Sequence, residues 1–365
     1  MKIIHCADLH LDSKMESNLD REAAGMRRDE LLDTFERMVA YAAEQDVRVI
    51  LIAGDLFDKP NVRKTAKTRV IEQIKGHPQI DFCYIRGNHD QLDFVEELSE
   101  QEDITNLKLF GTDEWTSYDY GDVVITGMEL VKENSQTLGM NLVLDQNRVN
   151  IVALHGQESD YQGNDRTEVV NLSMLRGKYI DYLALGHIHS YKKERLDDRG
   201  VYCYSGCLEG RGFDECGEKG FVLIDVDEEQ RTATYQFVPI AARTLYTLEV
   251  DVSGVMTTQE AAGRMEQAIA DAAYSSGSMV KFVLTGEVEV DAEFNCEYLQ
   301  DLFSDYFYFE KVYDQTKLRV NYSDYEKDES LKGEFIRMVL NSDMSEESKT
   351  EVIRCGIMAL SGEEI

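Results

Sequence analysis

Long apolar runs are absent from the 365-residue sequence, which nowhere approaches the roughly 20 apolar residues that a helix needs to cross a bilayer. Residues 1–8 are typical of a strand that enters a polar loop and not of a secretory signal. The seven cysteines are scattered and include no Cys-x-x-Cys pair, which indicates a reduced setting. We therefore expect a cytoplasmic protein that has no contact with a membrane.

Basic residues are also scarce, because 38 Lys and Arg stand against 70 Asp and Glu and the formal net charge is −32. Proteins that bind nucleic acid by themselves usually carry a basic surplus, which this sequence lacks. Any phosphate ester would have to be held by bound cations, by a local basic patch or through a partner. The hydrophobic fraction of 43% is sufficient for a folded core, and the length predicts two domains or slightly more.

Short β-branched-rich runs predict buried strands in the first part of the chain. They cover residues 2–7, 47–53, 80–85, 123–127, 149–154, 180–185 and 220–226. The apolar residues between the first two runs have the spacing of one helix face, and a second helix is expected over 62–75. This order predicts an α/β fold with a layered core of β-sheets flanked by helices and with parallel strands.

The pattern changes near Pro239. Strands are expected over 244–252 and 279–289 and helices over 258–273 and 296–303, which together predict a smaller α+β domain. We expect three parts, namely a first domain over 1–240, a second domain over 241–325 and a helical segment over 326–365. Its helices either fold back on the second domain or dock on a partner.

Histidine is rare, with seven in the chain, yet five of the seven directly follow predicted strands. They lie in Asp8-Leu9-His10, Gly87-Asn88-His89-Asp90, His155-Gly156 and Gly186-His187-Ile188-His189, and a further polar cluster is Gly54-Asp55-Leu56-Phe57-Asp58. Ligands bind at the carboxyl ends of strands in open α/β sheets, so these clusters are expected to converge. Mixed nitrogen and oxygen donors suit Mn, Fe or Zn, and so many donors suit two ions that share one carboxylate.

The ordered motifs D-x-H, G-D-x-x-D, G-N-H-D, H and G-H-x-H resemble those of the calcineurin-like metallophosphoesterase superfamily. Within it, residues 4–12, 53–58, 204–209 and 218–221 resemble the bacterial SbcD-type DNA repair exonucleases. That family carries a capping domain where this chain has its second predicted domain. The closer resemblance covers residues 1–240 and extends to the remainder only in layout.

The resemblance implies two divalent ions, with Mn²⁺ expected and Mg²⁺, Fe or Zn as alternatives. The implied ligands of one ion are Asp8, His10, Asp55 and His189. Those of the other are Asp55, Asn88, His155 and His187, so that Asp55 bridges the two. His89 is implied as the general acid that protonates the leaving group, Asp58 as the residue that orients it, and a metal-bound water as the nucleophile.

The function implied is a Mn-dependent DNA exonuclease or endonuclease of DNA repair that works with an SbcC-type ABC ATPase, to which the C-terminal region attaches. Relatives are often dimers, and a homodimer is left open here. A small-molecule or cyclic-nucleotide phosphodiesterase with the same metal core is the alternative enzyme. A non-catalytic scaffold that keeps a metal site for folding is the alternative outside enzymes.

Overall fold

The computed structural model describes residues 1–15, 19–58, 62–90, 94, 97, 104–131, 134–135, 137–158, 169–289, 291–319 and 328–361. The chain divides into two compact units, Met1–Thr244 and Leu245–Ile365. None of the helices in these ranges combines the length and apolar character needed to span a bilayer.

The first unit is built mainly of strands. These are β1 (Lys2–Cys6), β2 (Val47–Ala53), β3 (Asp81–Ile85), β4 (Leu107–Leu109), β5 (Thr116–Tyr120), β6 (Val123–Gly127), β7 (Val149–His155), β8 (Gln157–Glu158), β9 (Val169–Val170), β10 (Tyr182–Gly186), β11 (Lys192–Arg195), β12 (Val201–Tyr204), β13 (Gly220–Asp227) and β14 (Thr232–Pro239). Its helices are α1 (Arg21–Glu44), α2 (Lys64–Gly76) and a short 3-10 helix, Leu172–Met174. Helix α1 begins after Asp20, whose carboxylate accepts hydrogen bonds from the first-turn amides of Glu22 and Ala23.

Two six-stranded sheets hold most strands of this unit, with strand orders β14-β13-β1-β2-β3-β4 and β11-β12-β10-β7-β6-β5, and β8 pairs separately with β9. Strands β1 to β4 are parallel, as are β6, β7, β10 and β12, whereas β13, β14, β5 and β11 pair antiparallel with their neighbours. The predicted layered α/β class is confirmed, but the expectation of parallel strands is wrong for β13. The first residues of β13, from Gly220 to Ile224, form an apolar run like those of its parallel neighbours, and such a run looks the same for either strand direction.

Alternate side chains of the central strands enter two different cores. Ile3 of β1 and Leu51 of β2 pack between the sheets, against Ile151 of β7. Ile4 and Ile50 point the other way and pack under α1 and α2. Because both faces of this sheet are covered at β1, β2 and β3, these three strands are buried along most of their length.

The second unit contains strands β15 (Leu245–Asp251), β16 (Met279–Thr285), β17 (Glu287–Glu289), β18 (Phe309–Asp314) and β19 (Lys317–Arg319), and helices α3 (Thr258–Ala272), α4 (Cys296–Phe303), α5 (Leu331–Leu340) and α6 (Glu346–Ser361). Strands β15, β16 and β18 form a parallel sheet, and β17 pairs with β19. Ile336 and Val339 of α5 pack on Ile353 of α6, with Leu318 of β19 against them. This contact favours the fold-back alternative for that face of α5. The expected boundary between residues 325 and 326 lies outside the described residues and stays a prediction.

Candidate metal centre

Five strand ends bring the predicted donors together. Strands β1, β2 and β3 run parallel and end side by side, and β7 and β10 do the same in the second sheet. Side chains in or just after these ends therefore share one edge of the unit. The residues delivered there are Asp8, His10, Asp55, Asp58, Asn88, His89, His155, His187 and His189.

Two glycines permit the close approach of these loops. A Cβ added at Gly54 would lie 2.0 Å from Nδ1 of His155, and one added at Gly87 would lie 2.2 Å from Oδ1 of Asp55. Gly54 also has φ of +94°, in the left-handed region that disfavours other residues. The donor set can form only because no side chain occupies these positions.

The donor loops themselves hold uncommon backbone conformations. Asp8, His10, Asp55 and His187 have φ values of 52°, 44°, 53° and 96°. Backbone hydrogen bonds hold the first loop in place, from Asp8 N to the Gly54 carbonyl at 3.0 Å and from His10 N to the Asp55 carbonyl at 2.9 Å. Strain of this kind persists where the surrounding structure imposes it, and it is concentrated at functional sites.

The first donor group consists of Asp8, His10 and His189, whose ligand atoms lie within 4.8 Å of one another. Nδ1 of His189 donates to Oε1 of Glu215 at 2.7 Å, and Nδ1 of His10 faces Oδ1 of Asp58 at 3.3 Å. The hydrogen bond places the His189 ring proton on Nδ1, and the nearby Asp58 carboxylate favours the same tautomer for His10, which leaves a lone pair on each Nε2. The two Nε2 atoms face each other at 3.2 Å.

The second donor group consists of Asp8, Asp55 and His155. Nδ1 of His155 donates to the carbonyl of Ala53 at 2.9 Å, which leaves a lone pair on its Nε2. That Nε2 lies 3.1 Å from Oδ1 of Asn88 and 3.5 Å from Oδ2 of Asp55. Asn88 thus joins this group.

Asp55 lies between the two groups. Its Oδ2 is 3.5 Å from Nε2 of His155 and 3.7 Å from Nε2 of His10, while its Oδ1 accepts from the His89 amide at 2.9 Å. Burial acts to raise the pKa of Asp55, but the imidazoles of His155 and His10 and the His89 amide outweigh it and lower that pKa. Asp55 is therefore placed to serve both groups, and Asp8 is a member of both as well.

Asp8 is buried with one oxygen unsatisfied. Its Oδ1 accepts from the His187 amide at 2.8 Å, whereas its Oδ2 is buried and has no hydrogen-bond partner. Burial raises the pKa of Asp8. An unpartnered buried carboxylate oxygen among lone pairs from three imidazoles is unfavourable unless a cation lies between them. The residues present therefore fit metal ions.

His187 is beside the centre and belongs to none of the donor groups found among the described residues. Its ring lies edge-on to that of His155, with 5.5 Å between the centroids. Its assignment as a ligand stays a prediction.

His89 contacts both the main chain and the carboxylate of Asp58. His89 Nδ1 lies 3.1 Å from the backbone carbonyl oxygen of Asp58 and 3.7 Å from its carboxylate Oδ1. The same Oδ1 is closer to Nδ1 of His10, at 3.3 Å, and to Nη1 of Arg211, at 3.2 Å. The assignment of Asp58 as the residue that orients His89 stays a prediction.

Sequence reasoning assigned no role to Arg211 and Glu215, which adjoin the centre. Glu215 accepts from His189 and from Arg211 Nη2, at 2.7 and 2.8 Å. Burial acts to raise the pKa of Glu215, but these two hydrogen bonds hold that pKa well below its usual range. Both residues lie between the segments 204–209 and 218–221 that resemble the exonucleases. That location is the one signal in the sequence that could have drawn attention to them.

The sequence profile of the calcineurin-like phosphoesterase family matches residues 1–191. The chain belongs to this family, and the resemblance to the superfamily is confirmed. With the donor groups described above, family membership makes the protein a metal-dependent phosphoester hydrolase.

The chain is also similar to DNA repair proteins. The DNA double-strand break repair protein Mre11 of Sulfolobus acidocaldarius is 27% identical over 263 residues, which are 69% of this chain and 67% of that protein. The Mre11 protein of Sulfurisphaera tokodaii is 27% identical over 272 residues, 70% of this chain and 66% of that protein. The uncharacterized metallophosphoesterase YhaO of Bacillus subtilis is 29% identical over 238 residues, 62% of this chain and 57% of that protein. The chain thus spans between 57% and 67% of the length of these relatives.

Proposed function

We propose that this chain is a two-metal DNA phosphodiesterase, a Mn-dependent exonuclease or endonuclease of DNA repair that works in the cytoplasm with an SbcC-type ABC ATPase. The observation that carries the proposal is the position of Asp55, whose Oδ2 lies within 3.7 Å of one imidazole from each donor group. A shared carboxylate is what a pair of ions requires. The DNA repair proteins among the relatives favour DNA as the substrate.

The proposed ligands are the members of these two donor groups together with Asn88 and His187, the last on the family resemblance alone. Asp8, His10, Asp55 and His189 would hold one ion, and Asp55, Asn88, His155 and His187 the other. Two bound divalent ions polarise the phosphoryl oxygens and make a water molecule acidic enough to attack at neutral pH. Mixed imidazole and carboxylate donors suit Mn²⁺ among the available metals.

His89 is proposed as the general acid. Its side chain is 44% exposed, so a substrate can reach it, unlike the buried His10. Because its Nδ1 donates to the Asp58 carbonyl, Nε2 is the atom from which a proton can pass to the leaving oxygen. Imidazole suits this role because its ordinary pKa is near neutrality.

The charge of the protein supports the need for ions in binding DNA. A chain with a net charge of −32 repels a polyanion at long range. Divalent ions at the buried carboxylates Asp8 and Asp55 would reverse the local sign where the phosphodiester sits. The partner ATPase would supply the remaining affinity for DNA.

Nucleotide release from end-labelled linear duplex and single-stranded DNA in Mn²⁺ tests this function, with a small phosphodiester as a parallel substrate. We expect the wild type to degrade DNA and Asp55→Asn to be inactive on both substrates. Asp198→Asn removes the same charge from a fully exposed site and should behave as the wild type. Cleavage of the small phosphodiester alone, with the ATPase present or absent, would favour the small-molecule phosphodiesterase instead.

A further inference from the structure

Arg211 connects the carboxylates that lie behind two histidines of the centre. Its Nη1 donates to Oδ1 of Asp58 at 3.2 Å, and its Nη2 donates to Oε1 of Glu215 at 2.8 Å. Its Nε lies 3.2 Å from the same Glu215 oxygen, and its backbone amide donates to the other one, Oε2, at 2.8 Å. One guanidinium therefore bridges two acidic side chains.

Each of these carboxylates is in contact with one imidazole. Oε1 of Glu215 accepts from His189 Nδ1 at 2.7 Å, and Oδ1 of Asp58 lies 3.3 Å from His10 Nδ1. On the far side of the two rings, the Nε2 atoms face each other at 3.2 Å. The chain of contacts Asp58, Arg211, Glu215 thus sets the separation of the two nitrogen donors.

We propose that Arg211 is a positioning residue that holds His10 and His189 at the spacing needed to ligate one ion, by joining the carboxylates of Asp58 and Glu215. This inference rests on the proposed two-metal site. Carboxylates hydrogen-bonded to a ligating imidazole fix its orientation and raise its basicity. What the structure adds is that both carboxylates share one counter-ion.

A direct contact of Arg211 with the substrate phosphate is the competing role. The side chain is 19% exposed, and each of its three guanidinium nitrogens already donates to a carboxylate. Reaching a phosphate would break those hydrogen bonds and leave Glu215, which is 6% exposed, with an uncompensated charge. The positioning role requires no rearrangement.

A lysine cannot replace this arginine. The planar guanidinium presents several donors in a fixed fork, whereas an ammonium is a point charge on a flexible stem. Arg211→Lys would keep the positive charge but lose the span between Asp58 and Glu215. Comparison of Arg211→Lys with the wild type therefore separates the effect of the positive charge from the effect of the guanidinium geometry.

The test is calorimetric titration of the metal-free full chain with Mn²⁺. In Arg211→Gln we expect one of the two ions to bind about 10–100-fold more weakly and the other to bind as in the wild type. Arg211→Lys should weaken the binding of the same ion to a smaller extent. Arg195→Gln is the matched control, because Arg195 is 70% exposed and its side chain pairs with the exposed Asp198, and it should leave both ions unaffected.

Asn88→Ala identifies which ion is affected, since Asn88 belongs with His155 in the other donor group. The double variant Asn88→Ala/Arg211→Gln should bind both ions more weakly. Electron paramagnetic resonance of Mn²⁺ should then show loss of the coupled pair of ions. If Arg211→Gln does not fold, Arg211→Lys and Glu215→Gln take its place in the test. Both should weaken the binding of the ion held by His10 and His189.

Two results would overturn the role of Arg211. One is wild-type binding of both ions in folded Arg211→Lys and Glu215→Gln. The other is a raised KM for the phosphodiester with metal affinity unchanged, which would assign Arg211 to the substrate. A wild-type chain that binds fewer than two ions overturns the proposed function itself, so the two failures are distinguishable.

Discussion

The three imidazoles that face the centre differ in what lies behind them. His155 donates to a backbone carbonyl, that of Ala53, whereas His10 and His189 face carboxylates. A carboxylate makes an imidazole a stronger donor than a carbonyl does. The two proposed ion positions would therefore be chemically unequal, although each would use carboxylate and imidazole ligands.

A contrast between Asp55→Asn and His89→Ala separates binding from proton transfer. Asp55→Asn should reduce the binding of both ions, because its Oδ2 adjoins both donor groups. His89→Ala should keep its metal and lower turnover about 10²–10⁴-fold, as expected for loss of a general acid. Metal content by mass spectrometry and turnover on the small phosphodiester measure the two effects. Equal loss of metal in both variants would contradict the assignment.

His5 should make stability depend on pH. Burial lowers its pKa from 6.5 to about 3, against the smaller opposing effect of a backbone hydrogen bond with Leu185. The unfolded chain therefore takes up a proton below pH 6.5 that the folded chain refuses until about pH 3. The titration of His5 makes no contribution to the free energy of unfolding at neutral pH. That free energy falls as the pH drops through this window.

Replacing His5 with Gln should flatten that dependence. Between pH 7.5 and 5.5, the wild type should lose about 1 kcal/mol more stability than His5→Gln in metal-free urea unfolding. The control is His77→Gln, at the partly exposed C-terminus of α2, which should keep the wild-type slope. Identical slopes in His5→Gln and the wild type would show that His5 titrates normally in the fold.

The sequence draws attention to the proposed ligands but not to the residues that lie behind them. Histidine is so rare in this chain that clusters such as Gly186-His187-Ile188-His189 are conspicuous after apolar runs. Arg211 has no comparable signal, because its contact with Asp58 joins positions 153 residues apart. Similarly, the use of the Asp58 carbonyl for His89 depends on a loop conformation that residue types do not encode.

At the scale of elements, the strand-end loops should be intolerant of added side chains. In Gly87→Ala the new Cβ would meet Oδ1 of Asp55 at 2.2 Å and its amide nitrogen at 2.7 Å, so the loop or the ligand must shift. We expect a loss of about 1–3 kcal/mol of stability, as for other overpacked sites, together with weaker metal binding.

Gly25→Ala is the control for this substitution. Gly25 lies in α1 with nothing within 4 Å of an added Cβ. Alanine should stabilise that helix by about 0.4–1 kcal/mol and leave metal binding unchanged. Thermal unfolding and metal titration report both quantities. A Gly87→Ala chain as stable and as metal-rich as Gly25→Ala would mean that the loop is not tightly packed.

The positions of most strands followed from their apolar runs, and β2 and β6 match the predicted bounds. Orientation did not follow, because the apolar run at the start of β13 resembles those of its parallel neighbours. The edge strand β14 was missed altogether, since half of its residues are exposed and its pattern is weak. An apolar run identifies a strand but not its direction.

At the scale of the whole molecule, the exposed side of α5 is where we expect the proposed ATPase partner to bind. Ile336 and Val339 are buried against α6, while Leu331 and Met338 are 69% and 68% exposed. Leu331 and Met338 are seven residues apart in the sequence and therefore lie on one side of the helix. Exposed apolar residues at this spacing suit the docking of an amphipathic partner helix.

The variant Leu331→Glu/Met338→Glu should therefore lose co-purification with an SbcC-type ATPase, because charged side chains would be buried without partners at the interface. It should still cleave the small phosphodiester, since Leu331 and Met338 belong to the second unit and the metal donors to the first. Glu266→Gln, at an exposed position of α3 in the same unit, should retain the ATPase. A chain that ends at Tyr325 should lose the ATPase as well. If either the truncated chain or the double variant still co-purified with it, the C-terminal helices would not be the attachment site.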